Sequence, residues 1–119
     1  IVAQGQTGQH WRELFVATQI SGTVVEGYID LLVRHPERGL VVVDYKTDQI
    51  ADGPERAQRL ARYGIQLAAY ALALEALLGE PIAAGVLVMC RPSGAAEQVD
   101  IPDWSALREE LRVRLVDGG

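Results

Sequence analysis

The sequence predicts a single α/β domain with a mixed central β-sheet flanked by helices, and three observations support this class. Several β-branched segments precede one long stretch of strong helix formers, a further apolar segment follows that stretch, and a second helical stretch closes the chain. The predicted order is β-β-β-α-β-(β)-α. With 119 residues, of which 49% are hydrophobic and 23% charged, the chain has the size and composition of one globular domain.

Three strands are predicted in the first part of the chain. Trp11 to Thr18 mixes aromatic and apolar residues, and Ser21-Gly22 marks a turn before a second run from Thr23 to Arg34. Another turn at 35–39 leads into Leu40 to Val43. This last run is too apolar for an exposed edge, which indicates a central strand covered on both faces.

One long helix, then a strand pair and a closing helix, are predicted in the second part. Glu55 to Leu78 is rich in Ala, Leu, Arg and Gln and is followed by the stop signal Gly79. Ile82 to Arg91 returns to strand composition, 98–101 adds a short strand, and 102–116 forms the closing helix. No glycine-rich lysine loop is present, so we expect no nucleotide site in this chain.

Composition restricts the location and the partners. The apolar stretches are shorter than the roughly 18 residues that span a bilayer, and no signal segment opens the chain, so we expect a cytoplasmic protein without membrane contact. The single cysteine, Cys90, is expected to pack as a small apolar residue. A net charge of -5 counts against a free-standing nucleic-acid binder. Carboxylates at a metal site, or a basic neighbour outside this chain, would account for that charge.

Acidic residues on two neighbouring strands are predicted to meet. Asp44 and Lys46 share a face of the third strand, because alternate side chains point the same way. If the hairpin centres on Glu37, Asp30 faces Asp44 with Cβ atoms about 5 Å apart. A one-residue slip would separate them. The predicted face of Asp30 holds Val24, Glu26, Tyr28 and Leu32, and the opposite face holds Gly27, Ile29 and Leu31.

Two like charges facing each other on a sheet are destabilising, which indicates a compensating cation. Mg2+ favours one or two carboxylates together with waters and substrate phosphate oxygens, and it acidifies a bound water. Lys46 would then orient that water and neutralise charge. The alternative is that Asp44 only ends a strand and forms a weak surface ion pair with Lys46.

A polar stripe runs along the predicted long helix. Arg59, Arg62, Gln66 and Tyr70 are spaced three, four and four residues apart and therefore share one side of it. Gln66 and Tyr70 are either a boundary pair whose polar ends reach water or part of a binding site. Arg59 and Arg62 fit a solvated face, with phosphate contact as the alternative.

Four ordered segments between Arg12 and Leu78 carry a family resemblance: 12–15 (RELF), 27–31 (GYIDL), 44–48 (DYKTD) and 66–70 (QLAAY). They resemble the RecB-like branch of the PD-(D/E)XK nuclease superfamily, which has a restriction-endonuclease-like fold and occurs at the ends of bacterial helicase-nucleases. The resemblance implies that Asp30, Asp44 and the carbonyl of Tyr45 ligate a metal ion and that Lys46 is catalytic. It also implies that Gln66 and Tyr70 bind DNA, and Glu13 matches a family position of less certain role.

The activity implied by the resemblance is hydrolysis of DNA phosphodiester bonds with Mg2+, for which Mn2+ could substitute. The chain would be the nuclease part of a larger helicase-nuclease acting in recombination or double-strand-break repair. The branch that carries an iron–sulfur cluster uses four cysteines, so no cluster is expected here.

One departure from the family pattern concerns a histidine ligand on a helix upstream of the first strand. His10 adjoins the first strand and His35 lies in the hairpin turn, so neither corresponds to it. We therefore expect residues 1–119 to be one nuclease domain lacking an upstream helix, with 1–9 flexible. Two rival hypotheses are a non-catalytic or degenerate module that binds DNA or protein, and another phosphodiesterase of the same superfamily.

Overall fold

A computed structural model describes residues 9–46, 53–90 and 94–118. The elements within these ranges are β1 (His10–Ile20), β2 (Thr23–His35), β3 (Gly39–Lys46), α1 (Pro54–Leu78), β4 (Ile82–Cys90), β5 (Ala96–Asp100) and α2 (Trp104–Gly118). The predicted order is confirmed, and the optional fifth strand is present. The predictions for residues 1–8, for Thr47 and Asp48, and for the side chain of Cys90 lie outside the described residues.

The strands form one mixed sheet in the order β1-β2-β3-β4-β5, in which only the β3–β4 pair is parallel. Helix α1 makes the crossover that a parallel neighbour requires. Strand β3 is central, and Val41, Val42 and Val43 are at most 1% exposed. The prediction of a doubly covered strand is therefore confirmed. Its pairing with β2 runs from Leu31↔Val43 to His35↔Gly39, which is the predicted register centred on Glu37.

Helix α1 packs on one face of the sheet. It begins with Pro54 and ends at Gly79, whose left-handed conformation (φ 70) lets its N–H bond the carbonyl of Glu75. The buried side chains on its inner side join a cluster with Val42 and Leu32. Those helical residues are Leu67, Ala68, Ala71, Ala73 and Leu74. The opposite face of the sheet carries a second buried cluster made of strand residues, namely Leu31, Val33, Val41, Val43, Ala84 and Val86.

Strand β2 changes face at Asp30, and the predicted alternation along it is wrong. Ile29 and Leu32 lie in the same core cluster although they are three residues apart, whereas Tyr28 is 66% exposed. The β1–β2 pairing skips the position where Glu13 would meet Asp30, and Glu13 has a φ of 51. Such an irregularity shifts the alternation of the strand by one residue. Gly27 and Ile29 therefore face α1, with Leu32 and not Tyr28 continuing that face.

Helix α2 is fastened to the sheet by Trp104. Its indole Nε1 donates a hydrogen bond to the carbonyl of Ile82 at 2.8 Å, and its ring lies directly over Gly85. Glu75 of α1 accepts hydrogen bonds from Arg108 of α2 and from the backbone N–H of Ile82. Both helices thus meet at the start of β4. None of the helices in the described ranges is long and apolar enough to cross a bilayer.

We expect Gly85→Ala to destabilise the fold. A Cβ on Gly85 would overlap the six-membered ring of Trp104, which is 6% exposed and held by its hydrogen bond, so the ring has no free space to move into. Overpacking of this kind costs about 1–3 kcal/mol. Urea unfolding measures this loss in the free energy of unfolding. Ala83→Ser, at an exposed position of the same strand, is the control and should change the free energy of unfolding by less than about 0.5 kcal/mol. Equal stability of Gly85→Ala and the parent would contradict the packing described.

Candidate active site

Asp30 stands at the face switch of β2, where regular pairing with β3 stops. The last paired residues are Leu31 and Val43. One position further, the side-chain carboxylate of Asp30 takes the place of the backbone hydrogen bonds between the two strands. Its Oδ2 accepts a hydrogen bond from the backbone N–H of Tyr45 at 2.8 Å. The irregular backbone therefore aims a carboxylate at the end of β3.

Asp44 and Lys46 project from the end of β3 onto the face that α1 covers. Lys46 Nζ lies 2.8 Å from Asp44 Oδ2, and the two side chains are only 21% and 18% exposed. The prediction that both share one face is confirmed. An ion pair this far from water differs from the exposed strand-end pair that was the alternative hypothesis.

Asp30 lies level with Asp44 on the neighbouring strand, one position beyond the last pair Leu31↔Val43. Burial raises the pKa of Asp44, the carboxyl of Asp30 raises it further, and together they outweigh the opposing effect of Lys46. For Lys46, burial favours a lower pKa, but the hydrogen bond and the charge of Asp44 raise it. The pKa of Asp44 is thus raised although an ammonium group lies 2.8 Å from its carboxylate.

The fit of a divalent cation follows from this donor set. Asp30 and Asp44 offer hard oxygen ligands side by side, which suits Mg2+ when waters and substrate oxygens fill the other positions. Among the described residues, no group of three or more His, Cys, Asp or Glu side chains could hold a metal ion. Glu13 is exposed at the face switch. His35 is the last residue of β2, beside the hairpin turn, and its Nδ1 accepts hydrogen bonds from the N–H groups of Glu37 and Arg38 at 3.1 Å each.

Helix α1 contributes two of the predicted residues. Gln66 Nε2 lies 3.4 Å from the hydroxyl of Tyr70, a long hydrogen bond. The ring of Tyr70 occupies the space above Gly27 that a side chain there would fill. Glycine at position 27 therefore allows Tyr70 to lie against β2, three residues before Asp30.

Tyr63 is a site residue that the sequence interpretation missed. Lys46 Nζ lies 4.4 Å from the centroid of the Tyr63 ring, within the range of a cation–π interaction. The available signal was its spacing, three residues before Gln66 and seven before Tyr70, which puts all three on one side of α1.

Two predicted residues lie apart from this group. Arg62 is exposed on α1, and among the described residues no ion pair or hydrogen bond joins it to Asp30 or Asp44. Arg59 Nη2 lies 3.5 Å from Glu55 Oε1, as expected for an ion pair on a solvated face. The ring of Tyr45 is 42% exposed, so only the backbone of that residue belongs to the carboxylate pair.

Comparison with known proteins identifies the family of the chain. The family model of the PD-(D/E)XK nuclease superfamily matches residues 2–117. Among curated proteins, an ATP-dependent helicase/nuclease subunit of Desulfitobacterium hafniense is 42% identical over 71 residues, covering 58% of this chain and 5% of that protein. The protein of the same name from Desulforudis audaxviator is 54% identical over 56 residues, covering 46% of this chain and 4% of that protein.

The chain thus corresponds to a small part of these relatives. Among solved structures, the crystal structure of SSO0001 superimposes with a TM-score of 0.59 at 18% identity, covering 99% of this chain and 55% of that one. At this identity the likeness concerns the fold alone.

Proposed function

Because the chain belongs to the PD-(D/E)XK nuclease superfamily, we propose that it hydrolyses DNA phosphodiester bonds with a divalent metal ion. The observation that supports this most directly is the pair Asp30 and Asp44 beside Lys46, with Lys46 Nζ 2.8 Å from Asp44 Oδ2. Two half-buried carboxyl groups, one of which has a raised pKa, are a poor choice for stability alone. They are a good choice for holding Mg2+ or Mn2+.

Each residue has a role in this proposal. Asp30 and Asp44 would hold the metal ion together with the carbonyl of Tyr45. A divalent ion bound there would supply acidified water and stabilise charge on phosphorus and the leaving oxygen. Lys46 has three N–H donors, of which Asp44 uses one. The remaining donors orient the attacking water and neutralise charge on the phosphate.

Helix α1 holds the substrate in this proposal. Gln66 and Tyr70 present an amide and a hydroxyl on the same side of the helix, suited to the DNA backbone beside the carboxylates. Arg62, exposed on the same helix, adds a cation for a phosphate further along the strand.

A larger assembly is part of the proposal. The net charge of -5 gives the chain little general attraction for DNA. The helicase/nuclease relatives from Desulfitobacterium and Desulforudis are far longer than this chain. We infer that a helicase domain or subunit delivers the DNA, and that the activity serves recombination or double-strand-break repair in the cytoplasm.

A second candidate is a non-catalytic nuclease-fold module that binds DNA or protein. It is favoured by the carboxylate count, since the described residues offer no group of three metal-binding side chains. The two candidates differ in metal binding, which the following experiment measures.

The test is cleavage of end-labelled linear DNA, single- and double-stranded, by the chain with Mg2+, Mn2+ or EDTA, together with calorimetry of metal binding. We expect cleavage with either metal and none with EDTA. The metal should also stabilise the fold, by about 2.7 kcal/mol at a hundred times its dissociation constant. Absence of both cleavage and metal binding would contradict the proposal and favour the non-catalytic module.

A further inference from the structure

Among the residues that the structure describes, the ammonium group of Lys46 has two partners of different character. One is the carboxylate of Asp44, 2.8 Å away, and the other is the ring of Tyr63, whose centroid is 4.4 Å from Nζ. Tyr63 is half-buried and packs against the main core cluster, so its ring is held by its surroundings. The ammonium therefore lies between a charged group on β3 and a rigid aromatic face on α1.

These two partners respond differently to a metal ion. When Asp44 binds a divalent cation, it shares its negative charge, and Lys46 is repelled by the cation at short range. The attraction between Lys46 and Asp44 is therefore weakest in the state in which Lys46 has to act. The attraction of the ring is a property of its quadrupole and uses no atom that a metal ion binds.

We propose that Tyr63 is a positioning residue that holds the Lys46 ammonium over the site while Asp44 binds the metal ion. The inference deepens the proposed function and rests on it for the effect on cleavage. The structural part of the inference is the contact between the ring and the ammonium, with and without metal. This contact can be tested without measuring cleavage.

The chain offers a direct way to observe this contact, because Lys46 is its only lysine. Isotope-labelled lysine, incorporated into the whole chain with a lysine-free tag, gives one set of side-chain NMR signals. A ring above the ammonium shifts the neighbouring Hε protons upfield and gives cross-relaxation to the Tyr63 ring protons. We expect both effects in the parent, with and without saturating Mg2+.

Substitutions at Tyr63 distinguish the effect of its aromatic ring from that of its hydroxyl group. Tyr63→Phe keeps the aromatic face and should keep the upfield shift, whereas Tyr63→Leu removes it. For cleavage, Tyr63→Leu should lower kcat roughly tenfold with KM changed less than about twofold, and Tyr63→Phe should restore most of that loss. Leu60→Ala is the control for helix packing, because Leu60 packs against the same cluster one turn earlier. It should lower stability without moving the Lys46 signals.

Several results would overturn the proposal. One is an Hε shift that is the same in the parent and Tyr63→Leu. Another is loss of the shift and of cross-relaxation when Mg2+ saturates the parent, which needs no variant to fold. A third is an equal fall of kcat in Tyr63→Leu and Tyr63→Phe. If the NMR effects are present but the parent cuts no DNA, the contact stands and the proposed nuclease function fails.

Discussion

Asp44→Asn is expected to reduce metal-dependent DNA cleavage at least about a thousandfold while leaving the fold intact. The amide cannot supply the anionic ligand, but it has the shape of the carboxylate, can still accept the Lys46 N–H and can donate to Asp30. Burial and Asp30 raise the pKa of Asp44, so its charged form is disfavoured in the metal-free protein. Loss of the negative charge that faces Lys46 opposes the gain from removing this disfavoured form, so we expect a free energy of unfolding close to that of the parent without metal.

The measurements are single-turnover cleavage with Mg2+ and thermal unfolding with and without it. Mg2+ should raise Tm in the parent and have little effect in Asp44→Asn. Asp100→Asn is the matched control, since Asp100 ends strand β5 and its side chain is 63% exposed. It should retain parental cleavage. Parental cleavage by Asp44→Asn would remove the residue from the mechanism.

Lys46→Met should lower cleavage by about a hundred- to a thousandfold, because the site then lacks its donor and its positive charge for the phosphate. Metal binding should be retained or become tighter, since Asp44 no longer shares its charge with an ammonium 2.8 Å away. Lys46→Arg should not restore the full rate, because a larger planar guanidinium with its donors in a fixed fork cannot reproduce a compact ammonium 2.8 Å from Asp44.

Calorimetry of Mg2+ binding and single-turnover rates distinguish this role from a structural one. The control is Arg112→Met, which removes an exposed cation from α2 that is paired with Glu109. Weaker metal binding by Lys46→Met, or an undiminished rate, would show that Lys46 does not act on the substrate side of the site.

The sequence predicted those parts of the fold that depend on regular patterns. The apolar run of β3 identified the central strand, and the turn around Glu37 set the register that brings Asp30 level with Asp44. The bounds of α1 followed from its helix formers and from Gly79. In each case local preference and burial point to the same structure.

What the sequence did not predict depends on irregular backbone and on contacts between elements. The face switch at Asp30 requires a non-glycine residue, Glu13, at φ 51, which no residue preference indicates. The sequence did not single out Tyr63, because its partner Lys46 comes from another element. The closeness of Gly27 and Tyr70 likewise exists only after folding.

The irregularity at Glu13 and Asp30 also separates the β1–β2 hairpin into two parts. The alternation of inward and outward side chains shifts by one residue between them. Regular alternation through both residues would invert inside and outside for the hairpin end, turning the core residues Val25 and Ile29 outward and Tyr28 inward. Deleting only one of the two residues would shift the alternation of one strand relative to that of its partner. Asp30, which supplies a carboxylate to the site, thus also keeps the core residues in the distal half of the hairpin facing α1.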